Sequence, residues 1–189
     1  DGTTNALTGA NCAYKSLSIW EAARQADIVT ADVIEECIIS SQDAAHTADT
    51  TYCTISGWTT DATRYIDIKV AAGSGHVGVW DTSKYRLITS TIFQHSLSIS
   101  EEYCRVDGLQ VENTQAGAGG YGAIASTGAN TADQRATNCL ARSALDHTVQ
   151  AQGGKLTCTN VIAFPPAGAE GFRHSGYARS SNFYNCASV

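Results

Sequence analysis

The sequence predicts an all-β protein whose chain winds in stacked coils. Four six-residue segments in its second half look like one segment repeated with drift: apolar, polar or aromatic, Asn or Gly, apolar, any residue, small or apolar. They occupy residues 106–111, 136–141, 158–163 and 183–188, and their third positions are 30, 22 and 25 residues apart. Recurrence at this period, in strand-like segments, is typical of chains built from stacked repeats.

A second apolar series runs ahead of the first one. Its members are Leu97, Ile124, Val149 and Phe172, and they precede Leu109, Cys139, Val161 and Cys186 by 12 to 15 residues. We therefore expect at least two strands in every coil, each paired in parallel with its counterpart one turn further on. The first spacing of the six-residue repeat, 30 residues, is longer than the others. We assign the additional residues to a Gly- and Ala-rich loop over residues 116–133.

The residue composition supports the same fold class. The chain has 189 residues, of which 16% are charged and 8% are aromatic, whereas a charged fraction of about 25% is usual. Ser, Thr, Ala and Gly take the place of charged residues, and this mixture suits strands with short turns better than helices.

The third position of the repeat is predicted to lie at a bend in each coil. It is held by Gly108, Asn138, Asn160 and Asn185. Gly and Asn tolerate a left-handed backbone, and stacked Asn amides can bond to the neighbours above and below them. The position that follows is predicted to point into the core. The alternative is coincidence, because Asn is common in turns.

The N-terminal part is predicted to close one end of the stack. Residues 1–15 look like a polar arm, and residues 16–26 form a short capping helix, with Ser18 as the N-cap and Glu21 in a capping box. The β-helix domain then spans residues 16–189, with coils over about 33–189. Its early strands are predicted at residues 33–40, 52–58, 65–70, 85–89 and 97–99.

Seven cysteines are present, and two of them are candidates for a disulfide. Cys37 and Cys53 lie in early strands about one coil apart, and a disulfide would place the chain outside the cytosol. Cys139, Cys158 and Cys186 hold repeat positions and are predicted to be small core residues. There is no CxxC motif and no His-rich cluster, so neither a metal nor a cofactor is expected.

Charge and hydrophobicity argue against two classes of partner. The net charge is -6 and the twelve Lys and Arg residues are scattered, so no nucleic-acid partner is expected. No run of about 18 apolar residues exists, so no membrane partner is expected either. The chain has no Met, so Asp1 is expected to follow a removed leader or to begin a piece of a longer protein.

The sequence selects no catalytic residue. A glycoside hydrolase needs two carboxyl groups about 5–9.5 Å apart, and the candidates are Asp107, Glu112, Asp133 and Asp146. Asp107 and Glu112 are expected on one strand but on opposite faces. The five histidines are interpreted as isolated surface or loop residues, and they are His46, His76, His95, His147 and His174.

Three aromatic residues are candidate glycan contacts. Trp58, Trp80 and Tyr121 have rings that can stack on sugars. Packing in the core or cap is the competing interpretation for the two tryptophans, because both flank turns near the N-terminal coils.

The chain resembles the right-handed parallel β-helix of the pectin-lyase-like superfamily. The capping helix and the run Val-Asp-Gly-Leu-Gln-Val-Glu-Asn at 106–113 carry this resemblance, which implies a single-stranded right-handed parallel β-helix. Residues 16–23 with 57–66 look like the start of β-helix proteins frequent in phage and environmental viral sequences. That likeness implies a non-catalytic structural protein in a virion or extracellular filament. A secreted or virion-borne polysaccharide lyase or hydrolase, and a glycan-binding adhesin, are the alternatives.

The C-terminal coil is the expected contact with a partner. Val189 directly follows the fourth repeat, so no closing segment is visible there. Unpaired strands over an apolar core bind further strands. We expect self-association or a neighbouring structural protein at this coil, and a fragment of a longer protein explains the same observation.

Overall fold

The computed structural model describes residues 3–6, 14–40, 46–115, 119–128, 133–145, 147–175 and 180–189. Cys12, Asp146 and much of the predicted 1–15 arm lie outside the described residues. Within these residues no helix has the length and hydrophobicity needed to cross a bilayer.

Within the described residues, seventeen strands form three sheets in which every pairing is parallel. Sheet 1 contains β1 (Thr3–Ala6), β2 (Glu35–Ser40), β4 (Ile66–Val70), β7 (Cys104–Asp107), β10 (Gln134–Thr137), β13 (Lys155–Thr159) and β16 (Ser180–Tyr184). Sheet 2 contains β5 (Arg86–Thr89), β8 (Gln110–Asn113), β11 (Leu140–Ser143), β14 (Ile162–Phe164) and β17 (Ala187–Ser188). Sheet 3 contains β3 (Cys53–Ile55), β6 (Leu97–Ile99), β9 (Ile124–Ser126), β12 (His147–Ala151) and β15 (Glu170–His174).

The chain visits the three sheets in a fixed order. From β6 onward it passes through sheet 3, sheet 1 and sheet 2, and it repeats this circuit until β17. Each strand therefore pairs with the strand one circuit earlier and one circuit later. This arrangement is a parallel β-helix, as the sequence predicts.

The predicted stacking of the second apolar series is confirmed residue by residue. Leu97 pairs with Ile124, Ile124 with Val149, and Val149 with Phe172 in sheet 3. The stretch 116–133, predicted as a loop, contains strand β9 at this register, so that part of the prediction is wrong. Ile124 can pair with both neighbours only if the strand belongs to the coil.

The six-residue repeat is a corner between two strands, not one strand. In the first copy, β7 ends at Asp107 and β8 begins at Gln110, so the chain changes sheet between them. Asp107 and Glu112 consequently lie on different sheets, and their predicted placement on one strand is wrong. Each complete coil has three strands because the bend position separates sheet 1 from sheet 2.

The core consists of rows of side chains stacked in register. One row in sheet 1 runs from coil to coil, with each residue paired to the next, through Cys37, Ile68, Val106, Ala136 and Cys158. Each of these side chains is no more than 1% exposed. Rows of the same kind face it from the other two sheets. Burial of these apolar surfaces, at about 25 cal/mol per Å², is the main stabilising contribution to the stack.

Helix α1 (Leu17–Arg24) covers the first coil, as predicted, but its cap differs from the prediction. Ser16, not Ser18, is the N-cap, since its backbone is extended and its Oγ accepts the Ile19 N–H at 3.1 Å. The Glu21 carboxylate is not part of a capping box. It accepts hydrogen bonds from the Ser56 N–H at 3.1 Å and from the Trp58 Nε1–H at 3.3 Å.

A buried carboxylate, that of Asp49, joins the helix to the coils. It accepts the Leu17 N–H at 2.8 Å, the Thr51 N–H at 3.1 Å and the Tyr85 hydroxyl at 3.1 Å. Asp49 is 2% exposed, and this burial raises the pKa of its carboxyl group. The first backbone N–H groups of a helix lack acceptors within the helix, and the Asp49 carboxylate is the acceptor for one of them, that of Leu17.

Replacement of Asp49 tests this junction. We expect Asp49→Ala to lower the free energy of unfolding by about 2–3 kcal/mol, because it leaves the Leu17 N–H and the Tyr85 hydroxyl buried without their acceptor. Thr50→Ala, at the exposed neighbouring position, is the matched control and should cost less than about 0.5 kcal/mol. Urea denaturation of both variants gives the comparison, and equal midpoints would contradict the proposed role of Asp49.

Candidate functional site

The bend between sheets 1 and 2 is left-handed in the last four coils. The backbone φ angle is 79° at Gly108, 50° at Asn138, 55° at Asn160 and 50° at Asn185. L-residues other than Asn and Asp rarely adopt this conformation, because the Cβ atom crowds the backbone. The bend therefore restricts the residue types that the repeat accepts at this position.

The side chains at these bends form a continuous row, here called the asparagine ladder. Asn185 Nδ2 donates to Asn160 Oδ1 at 2.6 Å, and Asn160 Nδ2 donates to Asn138 Oδ1 at 3.0 Å. Asn138 Nδ2 donates to the Asp107 carboxylate at 2.9 Å. All three Asn residues are exposed, so the ladder presents polar groups on the outside of the coil.

The residue after each bend points inward. Leu109, Cys139 and Val161 are 0% exposed, whereas Cys186 in the last coil is only half-buried. Burial raises the pKa of the Cys139 thiol to about 12. A thiol with such a pKa is not a nucleophile near neutral pH, and Cys139 is accordingly a core residue.

A groove lies beside the asparagine ladder on the outer face of sheet 2. Its floor is formed by Leu140, Ile162 and Ala187, which pair in register on successive strands. The ladder asparagines, His76 and Gly78 complete its lining. The cavity has a volume of about 550 Å³. We call it the sheet-2 groove. It combines the amide groups of the ladder with an apolar floor.

His76 and Gly78, which line the groove, belong to the connection between β4 and β5. Gln110 holds this connection, since its Oε1 accepts the Asp81 N–H at 2.6 Å and its Nε2 donates to the Asp81 carbonyl at 3.0 Å. His76 Nδ1 accepts the Gly78 N–H at 3.0 Å. Burial lowers the pKa of His76, so the neutral form that accepts this bond is favoured.

Of the predicted glycan contacts, Trp58 is placed where no ligand can reach it. It is 7% exposed, and it stacks on Trp20 of the capping helix at a centroid distance of 5.7 Å. Trp80 is half-buried near the sheet-2 groove, and the Arg142 guanidinium lies 4.1 Å from its ring centroid. Tyr121 is half-buried on another side of the molecule, with its ring 5.1 Å from that of His95.

The predicted disulfide between Cys37 and Cys53 is not formed. Cys53 carries a free thiol that is 1% exposed. The two residues belong to different sheets, Cys37 to sheet 1 and Cys53 to sheet 3, where each occupies a core row. Both act as small apolar side chains, which is the role that the sequence assigned only to the later cysteines.

Two histidines that the sequence predicted to be isolated lie close together on the outer side of sheet 3. His95 is 4% exposed and His147 is 7% exposed, and each contacts the segment that contains Gly120 and Gly122. A Cβ atom on Gly122 would lie 2.5 Å from the His147 carbonyl oxygen, so only glycine fits there. The sequence carried no signal of this proximity, because 52 residues separate the two histidines.

The hydrogen bonds of His95 define its tautomer. Gln152 Nε2 donates to Gln150 Oε1 at 2.9 Å, which directs the Gln152 Oε1 atom to His95 Nε2 at 3.3 Å. Nε2 therefore carries the proton, and Nδ1 accepts the Gly122 N–H at 2.9 Å. Protonation of Nδ1 would set two N–H groups against each other. Burial, together with the nearby His147, lowers the pKa of His95 to about 4.

The described residues do not form a metal centre. Among them, no group of three or more His, Cys, Asp and Glu side chains is placed to hold a metal ion. Asp133 binds Arg135 beside sheet 1, away from Glu112 on sheet 2. The candidate Asp146 lies outside the described residues.

Comparisons with protein-family models, with curated proteins and with solved structures find no match to this chain. The three parallel sheets and their register therefore carry the assignment of the fold by themselves.

His95 makes stability depend on pH in a defined window. Its folded-state pKa of about 4 lies below the usual value of about 6.5, so the folded state binds fewer protons than the unfolded one between these values. We expect the free energy of unfolding to fall by about 3 kcal/mol from this residue as the pH drops from 6.5 through 4.

The variant His95→Gln is expected to flatten this pH dependence in urea denaturation at a series of pH values. His174→Gln serves as the matched control at an exposed histidine, and its profile should follow that of the wild type. A profile for His95→Gln that keeps the full acid destabilisation would assign the effect to other groups.

Proposed function

We propose that this chain is a non-catalytic structural protein that binds glycans in the sheet-2 groove. In this proposal the coil is single-stranded and right-handed, as in the pectin-lyase-like superfamily, and it acts in a virion or an extracellular filament. The observation that carries the proposal is the groove itself, where Ile162 and Ala187 form the accessible part of an apolar floor beside the asparagine ladder.

The chemistry of the groove suits a sugar chain. A pyranose ring has apolar C–H faces and a rim of hydroxyl groups, so it needs an apolar surface with hydrogen-bonding groups along its edge. Ligand sites in general combine apolar lining with a few placed polar groups. The exposed amides of Asn138 and Asn160 can offer both donors and acceptors to such hydroxyls.

The geometry of the groove also suits a polymer. Its floor residues come from β11, β14 and β17, which are successive strands of one sheet. Paired strands lie about 4.8 Å apart, so equivalent groups recur along the coil axis at this interval. A chain of repeating units that runs along the axis meets similar contacts from one coil to the next.

A charge in the groove floor provides the test. We expect Ile162→Asp to weaken binding to an immobilised glycan panel at least about tenfold, because the carboxylate replaces an apolar contact surface. Thr157→Asp is the matched control, since it adds the same charge in the same coil but on the outer face of sheet 1. Equal binding by the two variants would argue against the groove as the site.

The same glycans distinguish binding from catalysis. If the chain were the alternative, a polysaccharide lyase or hydrolase, incubation would generate new reducing ends or unsaturated products. We expect the glycans to be recovered intact. Product formation that survives Ile162→Asp would place chemistry elsewhere in the molecule and overturn the non-catalytic proposal.

The assembly part of the proposal concerns the coil of β15, β16 and β17. Phe183 packs on Phe172 with ring centroids 4.9 Å apart and is still 37% exposed, so apolar surface of this coil is accessible. The proposed occupant is a second copy of the chain, paired through the exposed strand edges.

Sedimentation velocity over a concentration series tests this assembly. We expect the mean sedimentation coefficient to rise with concentration, and Phe183→Lys to shift the rise to higher concentration, because a charge disfavours an apolar contact. Asn182→Lys adds the same charge in the same coil but on the outer face of sheet 1, next to Thr157, and serves as the control. A monomer at all concentrations would contradict self-association.

A further inference from the structure

Arg142 lies over two aromatic rings on the outer face of sheet 2. Its guanidinium carbon lies 4.1 Å from the centroid of Trp80 and 5.4 Å from that of Phe164. Stacking on aromatic faces orients the guanidinium plane and leaves the N–H groups at its edge. These edge donors match the two oxygens of a carboxylate or a sulfate.

The donors of Arg142 are not used within the described part of the chain. There Arg142 forms neither a hydrogen bond nor an ion pair, and its only recorded contacts are the two rings. Other arginines are paired: Arg24 with Glu35, Arg64 with Asp32, and Arg135 with Asp133. Arg105 is likewise half-buried and stacked, 3.5 Å from the Tyr65 ring centroid, but it lies on sheet 1. What sets Arg142 apart is its place on the strand that lines the sheet-2 groove.

The position of Arg142 places it beside the sheet-2 groove. Leu140 lies two residues earlier on the same strand and Phe164 two residues after Ile162 on the next strand, and both Leu140 and Ile162 form the groove floor. Residues two apart share a face and lie about 7 Å apart along the strand. Trp80 lies in the same connection between β4 and β5 that contributes to the groove lining.

We propose that Arg142 binds an anionic group, a carboxylate or a sulfate, on the glycan that occupies the sheet-2 groove. This inference rests on the proposed function and adds the ligand class, an acidic glycan. The anion meets the guanidinium edge while uncharged parts of the chain lie over the apolar floor.

A neighbouring negative charge, that of Glu112, would repel such a ligand, and it provides a second test of the inference. Glu112 pairs in register with Arg142 across β8 and β11, yet the two form no ion pair. A bound anion would approach Glu112 as well as Arg142. Loss of the Glu112 charge should therefore strengthen binding, whereas loss of the Arg142 charge should weaken it.

The test compares glycans with the same backbone in neutral, carboxylated and sulfated forms by titration calorimetry. Wild type is expected to prefer the acidic forms by about tenfold, in line with a charged hydrogen-bonded pair. Arg142→Gln should abolish this preference. Arg142→Lys, which keeps the charge but not the planar edge, should retain part of it. Glu112→Gln should tighten acidic binding about twofold to fivefold, and more so at low salt.

The outcomes separate this inference from the proposed function. If the wild type binds neutral and acidic forms equally, or if Arg142→Gln keeps the preference, the role of Arg142 is overturned while glycan binding stands. If Ile162→Asp leaves binding unchanged, or no glycan binds, the groove proposal itself fails. Should Arg142→Gln not fold, as shown by its melting curve, Arg142→Lys and Glu112→Gln decide the question, and unchanged affinities in both would overturn the inference.

Discussion

The left-handed bend between sheets 1 and 2 is the constraint on which the rest of the coil depends. Parallel pairing between successive strands requires that each coil turn at the same place and by the same angle. In the coils that carry the bend, a change of one residue in its length would exchange the inner and outer faces of the strand that follows it. Gly108 and the three ladder asparagines meet this requirement with left-handed φ angles of 79°, 50°, 55° and 50°.

The bend also determines what the outside of the coil can display. Because the backbone is left-handed there, Asn side chains stand at the corner in register and bond to one another instead of to the core. The strand that follows then presents its outward positions directly beside the ladder. The sheet-2 groove is thus a consequence of how the coil turns. The connection that carries His76 completes its lining.

The rows that fill the core were accessible from the sequence, whereas the surface clusters were not. The spacing of Leu97, Ile124 and Val149 gave the register because apolar positions must stack where strands repeat. The third strand of each coil escaped notice because a corner at a bend reads as one short segment. For Trp58 the sequence left open whether it contacts a glycan or packs in the cap, because it shows an aromatic beside a turn but not the helix that covers it.

The groove and the histidine pair depend on contacts between distant segments. His95 meets the Gly122 segment, and Trp80 meets Arg142, only because connections between strands fold back over the coil. Such connections follow no period, so a repeat-based interpretation has no means of placing them. Function in a solenoid is concentrated in these irregular segments, because its regular positions are occupied by stacking between repeats.

The asparagine ladder has a direction. Every amide in it donates toward the N-terminal coils, Asn160 and Asn138 each accept from the amide of the next coil, and the row ends on the negative charge of Asp107. The amide dipoles are therefore aligned head to tail, and the two ends of the row differ in polarity. A polymer that lies along it does not meet a symmetric surface: its two possible orientations are chemically different, so the coil itself supplies a sense of direction to whatever it binds.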